Sequence, residues 1–201
     1  MLLKGCLEGA FLYELSQIIL TRHGCWKTFV ERDLRPVAGQ RLLDLGCGTG
    51  IILDFLPVVD YWGLDSNSRY IRFAQKKATE RVNFICADLA RTPWLVEGLF
   101  DLATATGVLH HLSDEQAVDL FKNVRKVLKP EGRFVTFDGC FEKGQSVIAR
   151  MFLSMDRGRF VRTRPAYEAL ARPFFGRVQS RIENKFLRVP YTHLIMEMSD
   201  R

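Results

Sequence analysis

Apolar residues first recur at helical spacing, at Leu3, Leu7, Phe11, Leu15, Ile18 and Ile19, which predicts a helical segment over residues 1–34. Pro36 and Gly39 break it. From residue 41 short apolar runs alternate with helix-length segments. Strands are predicted at 41–45, 61–65, 82–87, 100–106 and 133–137. Helices are predicted at about 49–55 and at 67–80, the second with Ile71, Ala74 and Ala78 on one face. Ser113 and Gln116 form a capping-box pattern for a further helix that runs to about Leu128, and Lys129-Pro130-Glu131-Gly132 ends it. Strands separated in this way imply a parallel sheet with helices on both faces. After residue 140 the pattern changes to a helical, arginine-rich segment reaching about Phe175. Two β-rich stretches follow, 177–186 and 191–198, separated by Pro190, and a hairpin-like pair at one sheet edge is expected.

Length and composition narrow the class. The 201 residues suit one domain, 1–201, read as a helical cap (1–35), a core (36–142) and a covering segment with the last two strands (143–201). With 47% hydrophobic and 26% charged residues the chain is neither disordered nor fibrous. No run reaches the length of a membrane span, and Glu8 and Glu14 interrupt the most apolar N-terminal stretch, so neither a transmembrane segment nor a signal peptide is expected. The five cysteines are odd in number and widely spaced, and the four histidines lack ligand spacing. A reduced, cytoplasmic protein with no metal site is the expectation.

Charge is unevenly placed. Residues 1–142 carry 17 basic and 18 acidic side chains; residues 143–201 carry 12 and 5. The excess is mostly arginine, which suits anionic ligands through its planar fork. Either these arginines grip an anionic substrate, lipid or RNA, or they form a solvated face and internal ion pairs.

Chemistry concentrates in Leu42-Leu-Asp-Leu-Gly-Cys-Gly-Thr-Gly50, which follows a strand and opens a helix. That is where an open α/β sheet binds nucleotides. A dinucleotide fingerprint fails, because Ile51 stands where its third small residue belongs. Asp44 also argues against a pyrophosphate and for a cationic group such as an ammonium or sulfonium. Asp65 ends the second strand 19 residues beyond Gly46 and offers two acceptor oxygens to a ribose. Asp88, after the third strand, suits an exocyclic amine of a purine. S-adenosylmethionine meets all three requirements.

These strings, with FDLATATGVLHHL and VLKPEGRFVTFD, make residues 36–142 resemble the class I S-adenosylmethionine-dependent methyltransferases. Val108–Leu112 and Leu128–Gly132 look like the small-molecule, ubiquinone-biosynthesis branch. The resemblance implies a Rossmann-like, doubly wound seven-stranded sheet, mostly parallel with the last strand antiparallel. It implies that Gly46, Gly48 and Gly50 hold the methionine end of the cofactor, Asp65 the ribose and Asp88 the adenine. Asp44, Cys47, Ser66, Leu89 and Thr106 complete the expected cofactor contacts, and S-adenosylhomocysteine is the expected product. No N-P-P-Y string of amide- or base-modifying relatives is present.

Each residue has a second reading. Asp44 contacts the cofactor or only caps its strand; Asp65 and Asp88 bind ligand or cap turns. His110, ahead of His111, is the candidate general base, yet both could pack or cap before the next helix. Trp94 and Leu95 line the adenine or the core. Tyr13, His111, Arg157, Arg159 and Arg162 are the candidate substrate contacts. The expected partner is a small-molecule acceptor, anionic or lipid-linked. An RNA methyltransferase and a non-catalytic cofactor-binding protein are the alternatives.

Overall fold

The computed structural model describes residues 24–89, 96, 98–155 and 158–200. Most of the helix expected over 1–34 lies outside them, as do Tyr13, Trp94, Leu95 and Arg157. Within them the chain begins with a short helix, α1 (Cys25–Phe29), continued by a π-helical turn over Val30–Leu34. Then come β1 (Arg41–Leu45), a 3-10 turn (Ile51–Phe55) and β2 (Asp60–Asp65). Helix α2 (Ser68–Ala74), β3 (Val82–Cys86), β4 (Phe100–Thr106), α3 (Asp114–Val127) and β5 (Leu128–Phe141) follow. The last part holds α4 (Val147–Ser154), a two-residue β6 (Arg162–Thr163), α5 (Arg164–Ala171), β7 (Arg177–Glu183) and β8 (His193–Ser199).

The main sheet has the order β3-β2-β1-β4-β5-β8-β7, with β6 beside β5. The pairs from β3 to β5 are parallel, and β8 runs antiparallel to both β5 and β7. The mostly parallel seven-stranded expectation therefore holds, and the late hairpin has β7, not β8, at the edge. Strand β5 starts earlier than expected, at Leu128. Leu128 pairs with Phe100 and pairing resumes at Arg133 with Leu102, so Lys129–Gly132 is an irregular stretch passed over by a shift in register.

Alternation along the strands supplies both faces of the core. Leu42, Leu102 and Val135 pack with Phe29, Leu34, Ile71 and Phe137 on one side. Leu43, Leu45, Ala103, Ala105 and Phe134 pack with α3 and α5 on the other. Helix α3 buries Ala117, Leu120, Phe121 and Val124, positions i, i+3, i+4 and i+7 on one face, and its capping box is complete in both directions.

Much of the arginine excess is spent inside the molecule. Arg181 pairs with Asp33 and Glu183, so the Val30–Leu34 turn is fastened to β7. Arg35 and Arg133 share Glu197. Arg164 and Arg172 share Glu168.

Candidate active site

The glycine loop follows directly from β1. Gly46, Gly48 and Gly50 have φ of 74°, 57° and 73°, a left-handed backbone that side-chain-bearing residues avoid. A Cβ on Gly46 would also run into Val108 Cγ2, so the loop lies close against the segment after β4.

Asp65 ties this loop to β2. Its Oδ2 accepts from the Gly48 N–H at 2.9 Å and its Oδ1 from the Asn67 N–H at 2.7 Å. A carboxylate has about four lone-pair sites, so these two bonds orient it and leave acceptor capacity on each oxygen. Partial burial raises its pKa, and the two N–H bonds oppose that rise. Ser66 is exposed beside it, and the Ser66 carbonyl accepts from Cys86 Sγ at 3.7 Å. Asp88 is exposed just past β3, with Leu89 buried next to it. Cys47 is buried, and burial with Asp44 and Asp65 nearby pushes its thiol far above the usual range, so it stays a neutral thiol.

Asp44 is buried to 1% exposure. Tyr61, one strand over, donates its hydroxyl to Asp44 Oδ2 at 2.6 Å. The ring reaches that far because Gly63 has no side chain; a Cβ there would meet Tyr61, Cys47 and Phe84, each at 2.9 Å. Asp44 Oδ1 has no hydrogen-bond partner, nor has the hydroxyl of Thr104 at the paired position of β4, nor that of Thr49 in the loop. Buried polar atoms without partners are costly, and here they gather at and beside the glycine loop. A cationic or hydrogen-bonding ligand there would relieve the cost, so the donor and acceptor set fits the amino and sulfonium end of S-adenosylmethionine.

Burial pushes the Asp44 carboxyl from 3.8 up to about 7; the Tyr61 hydrogen bond lowers it and Asp65 raises it. A raised carboxyl holds its proton better folded than unfolded. Between about pH 4 and pH 7 this group therefore makes the folded chain less stable as pH rises, with no further change above that window. Urea titrations across those pH values are expected to reveal the decline in the wild type and a flatter profile in Asp44→Asn. Tyr61→Phe, which removes the lowering hydrogen bond, is expected to extend the decline to higher pH. A decline unaltered in Asp44→Asn would assign it to other groups.

The segment after β4 carries the second half of the site. Thr106 pairs with Phe137 at the end of β4, and a 3-10 turn over Leu109–His111 follows. His110 is buried, and its Nδ1 lies 2.9 Å from Asp138 Oδ1, which also accepts from the His110 backbone N–H at 3.2 Å. An ionised carboxylate only accepts, so Nδ1 carries the proton in this pair. His111 is exposed and its ring lies 4.2 Å from that of His110. Asp138, which holds His110, was not among the residues expected from the sequence. It follows the apolar run Phe134-Val-Thr-Phe137 in the sequence, as Asp65 follows its own, although β5 continues past it to Phe141. Tyr61 and Val108 carried no such signal, because their roles depend on register across strands.

Arg162 and Arg159 separate. The Arg162 guanidinium is turned inward: Nε donates to Asp114 Oδ1 at 2.8 Å, Nη1 to the carbonyls of Leu109 (3.0 Å) and Phe160 (2.9 Å), and Nη2 to that of Leu112 (2.7 Å). The expected substrate contact is thus corrected to a brace for the loop that bears His110, because its fork is occupied by the chain's own oxygens. Arg159 is exposed, between two residues that reach His110. Phe160 donates its N–H to the His110 carbonyl at 2.9 Å, and Gly158 lies so close to the His110 ring that a Cβ would collide with it.

A mostly parallel sheet of this order, with a three-glycine loop after its first strand and an acid closing its second, has the Rossmann-like architecture of class I methyltransferase structures. Residues 42–132 match the family described as methyltransferase domain. Phosphoethanolamine N-methyltransferase 1 of Triticum aestivum is 36% identical over 126 residues, 59% of this chain and 24% of that protein. A ubiquinone biosynthesis O-methyltransferase of Pectobacterium carotovorum is 29% identical over 131 residues, 63% of this chain and 52% of that protein. The chain spans between about a quarter and about half the length of these curated relatives. The solved structure of a TehB-like SAM-dependent methyltransferase from Corynebacterium glutamicum superposes with a TM-score of 0.68 at 18% identity, covering 98% of this chain and 99% of that one, a likeness of fold.

Proposed function

We propose that the chain is an S-adenosylmethionine-dependent methyltransferase acting on a small-molecule acceptor that is anionic or lipid-linked. One observation carries the cofactor assignment: the left-handed glycine loop is latched through Gly48 to Asp65, beside the unpartnered buried oxygen of Asp44. When bound, S-adenosylmethionine supplies a methyl group on a cationic sulfur, open to in-line displacement. Gly46, Gly48 and Gly50 admit its methionine end, Asp44 provides the counter-charge, Asp65 accepts from the ribose hydroxyls, and Asp88 and Leu89 meet the adenine. Ser66, Cys47 and Thr106 fill the walls between them.

Positioning is the protein's main task, because alignment of reactants alone is worth about 7–11 kcal/mol in favourable cases. His110, held by Asp138, takes the proton from acceptors that must lose one. His111 and Arg159 face the acceptor, and Arg159 offers a planar fork to its anionic group. The relatives are named for phosphoethanolamine and for ubiquinone biosynthesis, which supports a small molecule. Pairing of Arg162, Arg164, Arg172 and Arg181 with the chain's own carboxylates leaves fewer uncompensated cations in the basic third than its sequence suggests, which weighs against RNA.

Calorimetry with S-adenosylmethionine and S-adenosylhomocysteine tests the reading. Micromolar binding is expected for the wild type and at least about a 100-fold loss for Asp65→Ala, as two charge-assisted hydrogen bonds are removed. A urea titration of the variant separates lost affinity from lost fold. No binding by the wild type would overturn the proposal.

A further inference from the structure

Helix α4 presents apolar side chains on the side it buries and on the side it exposes. Ala149 and Leu153 pack inward, and Leu153 lies so near Gly139 that a Cβ there would be 3.0 Å away. Val147, Ile148, Met151 and Met155 point outward, with 84%, 54%, 51% and 72% of their surface exposed. At about 100° per residue, these positions (i, i+1, i+4 and i+8) fall on one arc roughly 100° wide. A contiguous exposed apolar stripe of this kind marks an interaction surface.

Charge beside the stripe selects the partner. From Lys143 to Arg164 the sequence carries six basic residues and one acid. Arg162 and Arg164 are occupied internally. Lys143, Arg150 and Arg159 are exposed, and Arg150 sits on α4 itself, at the edge of the stripe. An apolar helix face bordered by cations is the composition of an interfacial helix on anionic lipid. A second copy of the chain fits less well, because a twofold contact through the stripe would bring these cations against their own counterparts.

We propose that the face of α4 formed by Val147, Ile148, Met151 and Met155, with Arg150 on the helix and Lys143 just ahead of it in the chain, docks on an anionic membrane surface. The apolar side chains enter the headgroup boundary while the cations meet lipid phosphates. This docking does not depend on the methyl-transfer reading. It does place the bilayer beside the acceptor end of the site, since the same connection continues through Gly158 and Phe160 to His110.

Vesicle flotation of the full chain tests it, with phosphatidylcholine vesicles alone and with about a third phosphatidylglycerol added. The wild type is expected to float with the anionic vesicles only, and Ile148→Ser/Met151→Ser to lose at least about tenfold in vesicle affinity. Both substituted side chains are exposed, so circular dichroism should be unchanged. No flotation of the wild type, or flotation unchanged in the double variant, would overturn the proposal. So would a wild-type dimer that fails to float and that the double variant converts to a monomer by light scattering. Binding of S-adenosylhomocysteine without flotation would leave the methyl-transfer reading standing alone; flotation without such binding would do the reverse.

Discussion

Arg162→Ala is expected to lower the stability of the chain by about 3 kcal/mol, the loss falling on the loop that carries His110. The ion pair with Asp114 is the smaller part, since the Asp114 side chain is 69% exposed and such pairs are worth under about 1 kcal/mol. The larger part is three backbone carbonyls, those of Leu109, Leu112 and Phe160, which lose their donor together. Asp114→Ala should therefore cost far less than Arg162→Ala. Arg162→Lys should recover only a fraction, because an ammonium on a flexible stem does not span the positions that a planar fork reaches at once. Urea unfolding of the three variants measures the order. Equal losses for Asp114→Ala and Arg162→Ala would move the energy back to the ion pair.

Gly46→Ala is expected to cost about 3 kcal/mol and to abolish cofactor binding. Two contributions add. A left-handed backbone costs a side-chain-bearing residue roughly 1–2 kcal/mol, and forcing a methyl into Val108 adds about 1–3 kcal/mol. The contributions can be measured apart. Gly39 has φ of 85° with nothing within 4 Å of a Cβ, so Gly39→Ala reports the backbone cost alone. Gly46→Ala combined with Val108→Ala relieves the collision, and its coupling in a double-mutant cycle reports the steric cost. Additive effects of the two substitutions would remove Val108 from the account.

What could be read from the sequence follows the range of each interaction. The five parallel strands and the α3 capping box were legible because their signals lie within a few residues of one another. The glycine loop was legible for the same reason, and so was Asp65, whose place at a strand end is a one-dimensional fact. The role of Arg162 was not. Apart from Phe160, its partners lie 48 to 53 positions away in the chain, and an arginine that braces a loop looks in sequence like one that binds a substrate. Asp138 was missed although it follows an apolar run, because its meaning depends on His110, 28 residues earlier. The start of β5 at Leu128 escaped for a different reason: Pro130 and Gly132 are turn residues by preference, and they lie in the irregular stretch between the pairs made by Leu128 and Arg133.

The insertion of β8 between β5 and β7 also orders events during synthesis. Strand β7 is made first yet touches the sheet only through β8, so it has no place to dock until His193–Ser199 is available. Until then the edge of β5 from Phe134 to Gly139, which includes Phe137 and Asp138, stays open to other chains. A ribosome paused between the two strands would hold a nascent chain with its cofactor loop already encoded and its sheet unclosed, the stage at which a chaperone has most to protect.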